Sequence, residues 1–180
     1  SGSSSAKFTG ASGAGAGGGA TSKNALEMQI YQMAGEINSE FSSFSELPLH
    51  LFDQLISPED LIPIYAVADV CLVTPLRDNL APTAVEYLLC QKQRQSNPGV
   101  LILSEFAGSV QSLGASAITV NPWDTQGFAE AIYEALSMEE SERKERWNYG
   151  YQYCTTHTYT RWITDLLREQ QELELLQEKE

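Results

Sequence analysis

Short apolar runs that do not alternate with polar residues constrain this chain most. Val70-Cys71-Leu72-Val73 and Val100-Leu101-Ile102-Leu103 are apolar throughout, and Ala117-Ile118-Thr119-Val120 nearly so. A strand that is apolar on both faces is buried on both faces, as in a parallel sheet. Each run is followed by a stretch able to be helical: Thr83 to about Arg94, Phe106 to Leu113, and Gly127 to Ser137, with Thr125 as its cap. A fourth strand is expected at Leu47-Pro48-Leu49-His50-Leu51, which Pro48 would enter rather than interrupt. The predicted class is α/β: a Rossmann-like parallel sheet with helices on both faces, followed by C-terminal helices. Right-handed crossovers align the strand C-terminal ends along one edge. The loops after His50, Thr74, Ser104 and Asn121 share that edge, where open α/β sheets bind ligands.

The remaining elements are helical by spacing. Leu26, Ile30, Met33, Ala34, Ile37 and Phe41 fall on one face of a helix over 25–41. Ser57-Pro58-Glu59-Asp60 is a helix start, with Ser as N-cap, Pro at the first helical position and acids in the first turn. That helix is expected to reach about Val67. Glu140 to about Tyr153 and Tyr159 to about Gln177 are two amphipathic helices without strands to serve, expected to pack back across the sheet or against a second lobe. Trp123, Trp147 and Trp162 read as anchors for these terminal helices.

Residues 1–24 are almost entirely Ser, Gly, Ala and Thr, with Phe8 the one large apolar side chain. Such a tract buries too little surface to offset its ordering entropy, and is expected to be a flexible linker or insertion. The lobe with its terminal helices is then 25–168, and 169–180 an acidic helical tail. The 24 acidic residues outnumber the 11 basic ones, giving a net charge of −13. That balance argues against nucleic acid or an anionic membrane as partner. No apolar run approaches the ~20 residues of a membrane helix. Cys71, Cys90 and Cys154 lack metal-ligand spacing; reduced thiols in a cytoplasmic protein are the expectation, with no metal and no cofactor.

The segment Arg77-Asp78-Asn79-Leu80-Ala81-Pro82-Thr83-Ala84-Val85-Glu86-Tyr87 carries most of the chemistry. It joins a buried strand to a helix, the junction at which such folds hold phosphates and riboses. Glu86, one turn into the helix, is placed to accept hydrogen bonds from a sugar diol; its alternative is a helix-start acid interacting with the dipole. Asp78 either faces a ligand or organises the turn. Arg77 either pairs with an acid or meets a ligand. His50 reads as a strand-end hydrogen-bonding residue and His157 as part of a helix–helix junction.

From about Leu47 to Leu167 the chain resembles the C-terminal, sugar-nucleotide-binding lobe of the trehalose-6-phosphate synthases, retaining glycosyltransferases of the two-lobed GT-B type (glycosyltransferase family 20). The resemblance rests on Ile64 to Asp78, Glu86-Tyr87, Cys90-Gln91, Gly99 to Gly108, Gln111-Ser112-Leu113, Asn121-Pro122-Trp123 and Glu142 to Arg146, in order and with spacing kept. It implies that Glu86 is the ribose-binding carboxylate, that Asp78 contacts the glucose end of the donor, and that the Leu80 amide donates to the donor group. It places Ile56 and Leu61 beside the uracil. No residue here is implied as catalytic beyond the Asp78 contact with the donor sugar. The Arg/Lys pair that neutralises the donor phosphates, the first strand–helix unit and the acceptor lobe would lie upstream, so the chain is expected to be a domain of a longer protein.

In this family the loop after Arg-Asp reads Gly-Met-Asn-Leu-Val; this chain has Asn79, Leu80, Ala81, Pro82 and Thr83. A glycine lets the backbone approach a diphosphate, and successive amides point N–H groups at it. Asn79 brings a Cβ, Ala81 removes a side-chain amide, and Pro82 has no N–H to give. Two functions follow from the resemblance. One is a regulatory or scaffolding subunit of a trehalose synthase/phosphatase complex with a degenerate UDP-glucose site. The other is part of an active synthase that transfers glucose from UDP-glucose to glucose 6-phosphate.

Overall fold

The computed structural model describes residues 20–80 and 82–177; most of the Ser/Gly/Ala tract, Ala81 and the last three residues of the acidic tail lie outside them. Seven α-helices and three strands follow in the order α1 (Ala20–Phe41), α2 (Pro58–Val67), β1 (Val70–Val73), α3 (Pro82–Cys90), β2 (Val100–Ser104), α4 (Val110–Leu113), β3 (Ala117–Val120), α5 (Thr125–Ser137), α6 (Glu140–Thr156) and α7 (Tyr159–Gln177). Short 3-10 turns extend α3 over Gln91–Arg94 and α4 over Gly114–Ser116. The strands form one parallel sheet in the order β1-β2-β3, with Val70 opposite Val100 and Leu101 opposite Ala117.

Strand alternation divides two cores. Cys71, Val73, Leu101, Leu103 and Ala117 face a layer containing Tyr65 of α2, Ala84, Tyr87 and Leu88 of α3, and Trp147 of α6. Val100, Ile102, Ile118 and Val120 face the opposite layer, made by Ala131 and Ala135 of α5 with Met138. Every residue of β2 is buried, as a central strand covered on both sides requires.

Local signals explain the boundaries. Ser57 caps α2 by accepting from the Asp60 amide, with Pro58 inside the first turn. The cap of α5 is Asp124, which accepts from the Gly127 amide, rather than the neighbouring Thr125, which is the first helical residue. Arg143 is buried and caps the other end of α5, donating to the carbonyls of Ala135, Leu136 and Met138 at 2.8, 3.0 and 2.9 Å. Gly150 lets α6 approach α3: a Cβ there would meet Leu88 Cδ1 and Ser116 Cβ, both at 2.8 Å.

Several expectations need correction. Residues 47–51 form no strand; the Asn38 side chain instead brackets Leu49, donating to its carbonyl and accepting from its amide, both at 2.9 Å. The described sheet thus has three strands. Helix α1 begins at Ala20, earlier than its apolar spacing predicts, and its stripe is exposed except at Ala34, with Met33 at 60 % and Phe41 at 66 %. Of the last helices, α6 packs on α3 and the sheet, whereas α7 leaves Trp162, Ile163, Leu166 and Leu167 exposed. Trp147 is the anchor expected of it; Trp123 and Trp162 are exposed and anchor nothing among the described residues. No described helix is long and apolar enough to cross a membrane.

Candidate sugar-nucleotide site

The loops after β1, β2 and β3 lie along one edge of the sheet, as right-handed parallel topology demands. The first is docked on the second. Asp78 and Ala107 form an isolated parallel bridge, and the Gly108 amide donates to the Asp78 carbonyl at 2.9 Å. Glycine is required at 108: a Cβ there would lie 2.1 Å from the Asn79 carbonyl oxygen. The β2 loop therefore holds the Arg77–Leu80 backbone from beneath.

Pro82 is the first residue of α3. Proline is favoured there because its missing N–H has no intrahelical partner to lose. At an anion site that same N–H is one of the free donors at the helix start, so Pro82 leaves the helix intact and subtracts a donor. Glu86 lies one turn further on, exposed, with the Tyr65 hydroxyl donating to its Oε2 at 3.4 Å. Leu61, half-buried, lies one turn before Tyr65 on α2, the helix packed beside α3; Ile56, also half-buried, directly precedes the Ser57 cap. Asp78 and Leu80 are exposed. The structure thus brings the α2 start, the β1 loop and the α3 start to one edge. Arg77 is exposed and makes no ion pair with a described residue.

A buried polar network supports this edge from below. The Gln91 amide nitrogen donates to the carbonyls of Tyr65 and Ala68, and its Oε1 accepts from the Gly99 amide at 2.8 Å. The Tyr87 hydroxyl donates to the Ala68 carbonyl at 3.1 Å. Tyr65 and Gln91 both fall in matched motifs, but spacing alone gives neither a role: Glu86 is 21 residues from Tyr65, and the Tyr65 carbonyl 26 from Gln91.

The other candidates are not drawn in. His50 is exposed, on no strand. His157 stacks on Tyr153 at 4.1 Å at the end of α6, a junction residue as expected. Burial pushes the Cys71 thiol up to about 12, and raises Cys90 and Cys154, so none is an activated nucleophile. Among the described residues no group of three His, Cys, Asp or Glu is placed to hold a metal ion. A cavity of about 280 Å³ opens at the opposite edge, lined by Asp69, Asn97, Leu136, Met138, Glu140 and Arg143. Its guanidinium is committed to the carbonyls at the end of α5, and the β1 loop is at the other end of the strands.

A parallel sheet covered on both faces, with a loop and two helix starts converging at its C-terminal edge, defines a Rossmann-like lobe of the GT-B type. The glycosyltransferase family 20 model matches residues 14–172, and the chain belongs to that family. It is 44 % identical over 144 residues to the "Probable alpha,alpha-trehalose-phosphate synthase [UDP-forming] 2" of Arabidopsis thaliana, covering 80 % of this chain and 17 % of that protein. An E. coli structure described as bound with UDP-2-fluoro glucose matches with a TM-score of 0.75 and 33 % identity, over 82 % of this chain and 32 % of that one. A UDP-forming trehalose-phosphate synthase from Burkholderia xenovorans, in complex with glucose-6-phosphate, matches with a TM-score of 0.76 and 32 % identity, over 84 % and 33 %. The chain spans about a third or less of the length of these relatives, and corresponds to a partial, C-terminal region of them.

Proposed function

We propose that this chain is the sugar-nucleotide-binding lobe of a trehalose-6-phosphate synthase-like protein whose grip on the donor diphosphate is weakened, and that its parent serves as a regulatory or scaffolding subunit of a trehalose-synthesising complex. Glu86 is the ribose carboxylate, Asp78 and the Leu80 amide face the donor, and Ile56 and Leu61 flank the base. The observation that carries the reading is Pro82 at the first position of α3, where a free N–H would otherwise point at an anion. An anion site lacking one charge-assisted donor loses ~1.5–3 kcal/mol, or roughly one to two decades of affinity. Asn79 adds to this by bringing a Cβ where the family has a glycine, in a backbone packed closely against Gly108.

The retained scaffold supports the family role beside the lost chemistry. The β1 loop is docked on the β2 loop, Tyr65 donates to Glu86, and the core layer between α2, α3 and the sheet is packed. The apolar side chains exposed on α1 and α7 are where other parts of the parent or other subunits would pack. Calorimetric titration of the full-length protein with UDP and UDP-glucose, joined to a turnover assay with glucose 6-phosphate, tests this. Weak but measurable UDP binding without turnover is expected; micromolar binding with turnover would overturn it.

A second reading is an active synthase. The bond between glucose C1 and the UDP β-phosphate oxygen would break, the bond to the acceptor's anomeric oxygen would form with retention, and the acceptor's hydroxyl proton would pass to the departing UDP. The favouring observation is that Pro82 does no damage to α3, which runs unbroken over Pro82–Cys90. On this reading, restoring the family loop leaves activity nearly unchanged.

A further inference from the structure

We infer that Tyr65 is a positioning residue: its hydroxyl holds the Glu86 carboxylate ready for a ribose diol, and so sets how well the lobe tells a ribonucleotide from its deoxy counterpart. The inference rests on the reading of Glu86 as the ribose carboxylate.

Tyr65 is buried, 4 % exposed. Its ring meets Tyr87 edge-on, with centroids 6.4 Å apart and planes at 80°. Its carbonyl accepts from Gln91, which is fully buried and also bonded to the Gly99 amide. Tyr87, itself fully buried, is tied to the Ala68 carbonyl. The phenol thus comes from a part of the core that three elements hold still. Its one acidic partner is Glu86, whose Oε2 it reaches at 3.4 Å across the α2–α3 contact.

An exposed glutamate must freeze its rotamers to bind a diol. A fixed donor on one oxygen removes part of that cost before the ligand arrives. A carboxylate has acceptor sites for about four hydrogen bonds, so one bond from Tyr65 leaves room for two sugar hydroxyls. Burial pushes the phenol up to about 12, with a Thr83 hydrogen bond acting in the opposite direction, so the hydroxyl remains a donor at neutral pH. Thr83 replaces the family's valine, which puts this hydroxyl contact inside the altered loop.

The experiment is titration of the full-length protein with UDP and with 2′,3′-dideoxy-UDP. Wild type is expected to favour UDP by roughly tenfold or more. Tyr65→Phe should cut that preference about threefold to tenfold by weakening UDP alone, and should have no further effect on it in a Glu86→Gln background. An unchanged preference in Tyr65→Phe, or equal weakening of both nucleotides, overturns the inference while leaving Glu86 as the ribose ligand. Absence of any preference in wild type overturns the reading of Glu86 and the inference with it.

Discussion

Trp147→Ala is expected to destabilise the protein by about 3–5 kcal/mol, a large part of a domain's ~5–15 kcal/mol. The indole is 5 % exposed and sits in the core layer between α6, α3 and the sheet. Its Nε1–H donates to the Leu88 carbonyl at 2.9 Å, and its ring lies 5.1 Å from that of Tyr151. Truncation opens a cavity and strips the Leu88 carbonyl of this donor. Trp147→Phe keeps most of the volume and should cost about 1–2 kcal/mol. Trp123→Ala, at a side chain 71 % exposed, should stay within about 0.5 kcal/mol. Urea unfolding of the three variants checks the ranking; a Trp123→Ala loss as large as that of Trp147→Ala would contradict it.

Gly99→Ala is expected to cost about 3 kcal/mol, at the upper end for overpacking. A Cβ at 99 would lie 1.9 Å from the Tyr87 hydroxyl, 2.6 Å from the Ala68 carbonyl oxygen and 2.9 Å from that of Asp69. None of these can yield cheaply: two are backbone, and Tyr87 is fully buried and already bonded to Ala68. Any displacement also breaks the Gly99–Gln91 bond and loosens the network that fixes Tyr65. Gly35→Ala, on the exposed α1 helix with nothing within 4 Å of its Cβ, should instead stabilise by about 0.5–1 kcal/mol. Denaturation midpoints moving in opposite directions for the two variants are the expected result.

The strands were legible because a doubly covered sheet leaves runs without alternation, and β1, β2 and β3 lie where those runs are. The Leu47–Leu51 run misled because a hydrophobic pattern does not reveal that the Asn38 amide satisfies both backbone groups of Leu49. The cap of α5 differed by one residue, since Asp124 and Thr125 are both good caps and only the chain path chooses. Strand–loop–helix spacing was enough to put Asp78 on the loop after β1 and Glu86 one turn into α3. Tyr65, Gln91 and Gly108 were not legible as site supports, because their roles arise from contacts with distant segments. The closeness of Gly108 to Asn79 joins the loops after two different strands, which local spacing does not encode.

The substitutions between Asn79 and Thr83 are expected to cost the lobe its hold on a diphosphate. The direct measurement is UDP affinity, by calorimetry on the full-length protein, before and after combining Asn79→Gly, Leu80→Met, Ala81→Asn, Pro82→Leu and Thr83→Val. Binding should tighten by roughly 10- to 100-fold. Unchanged or weaker binding would contradict it.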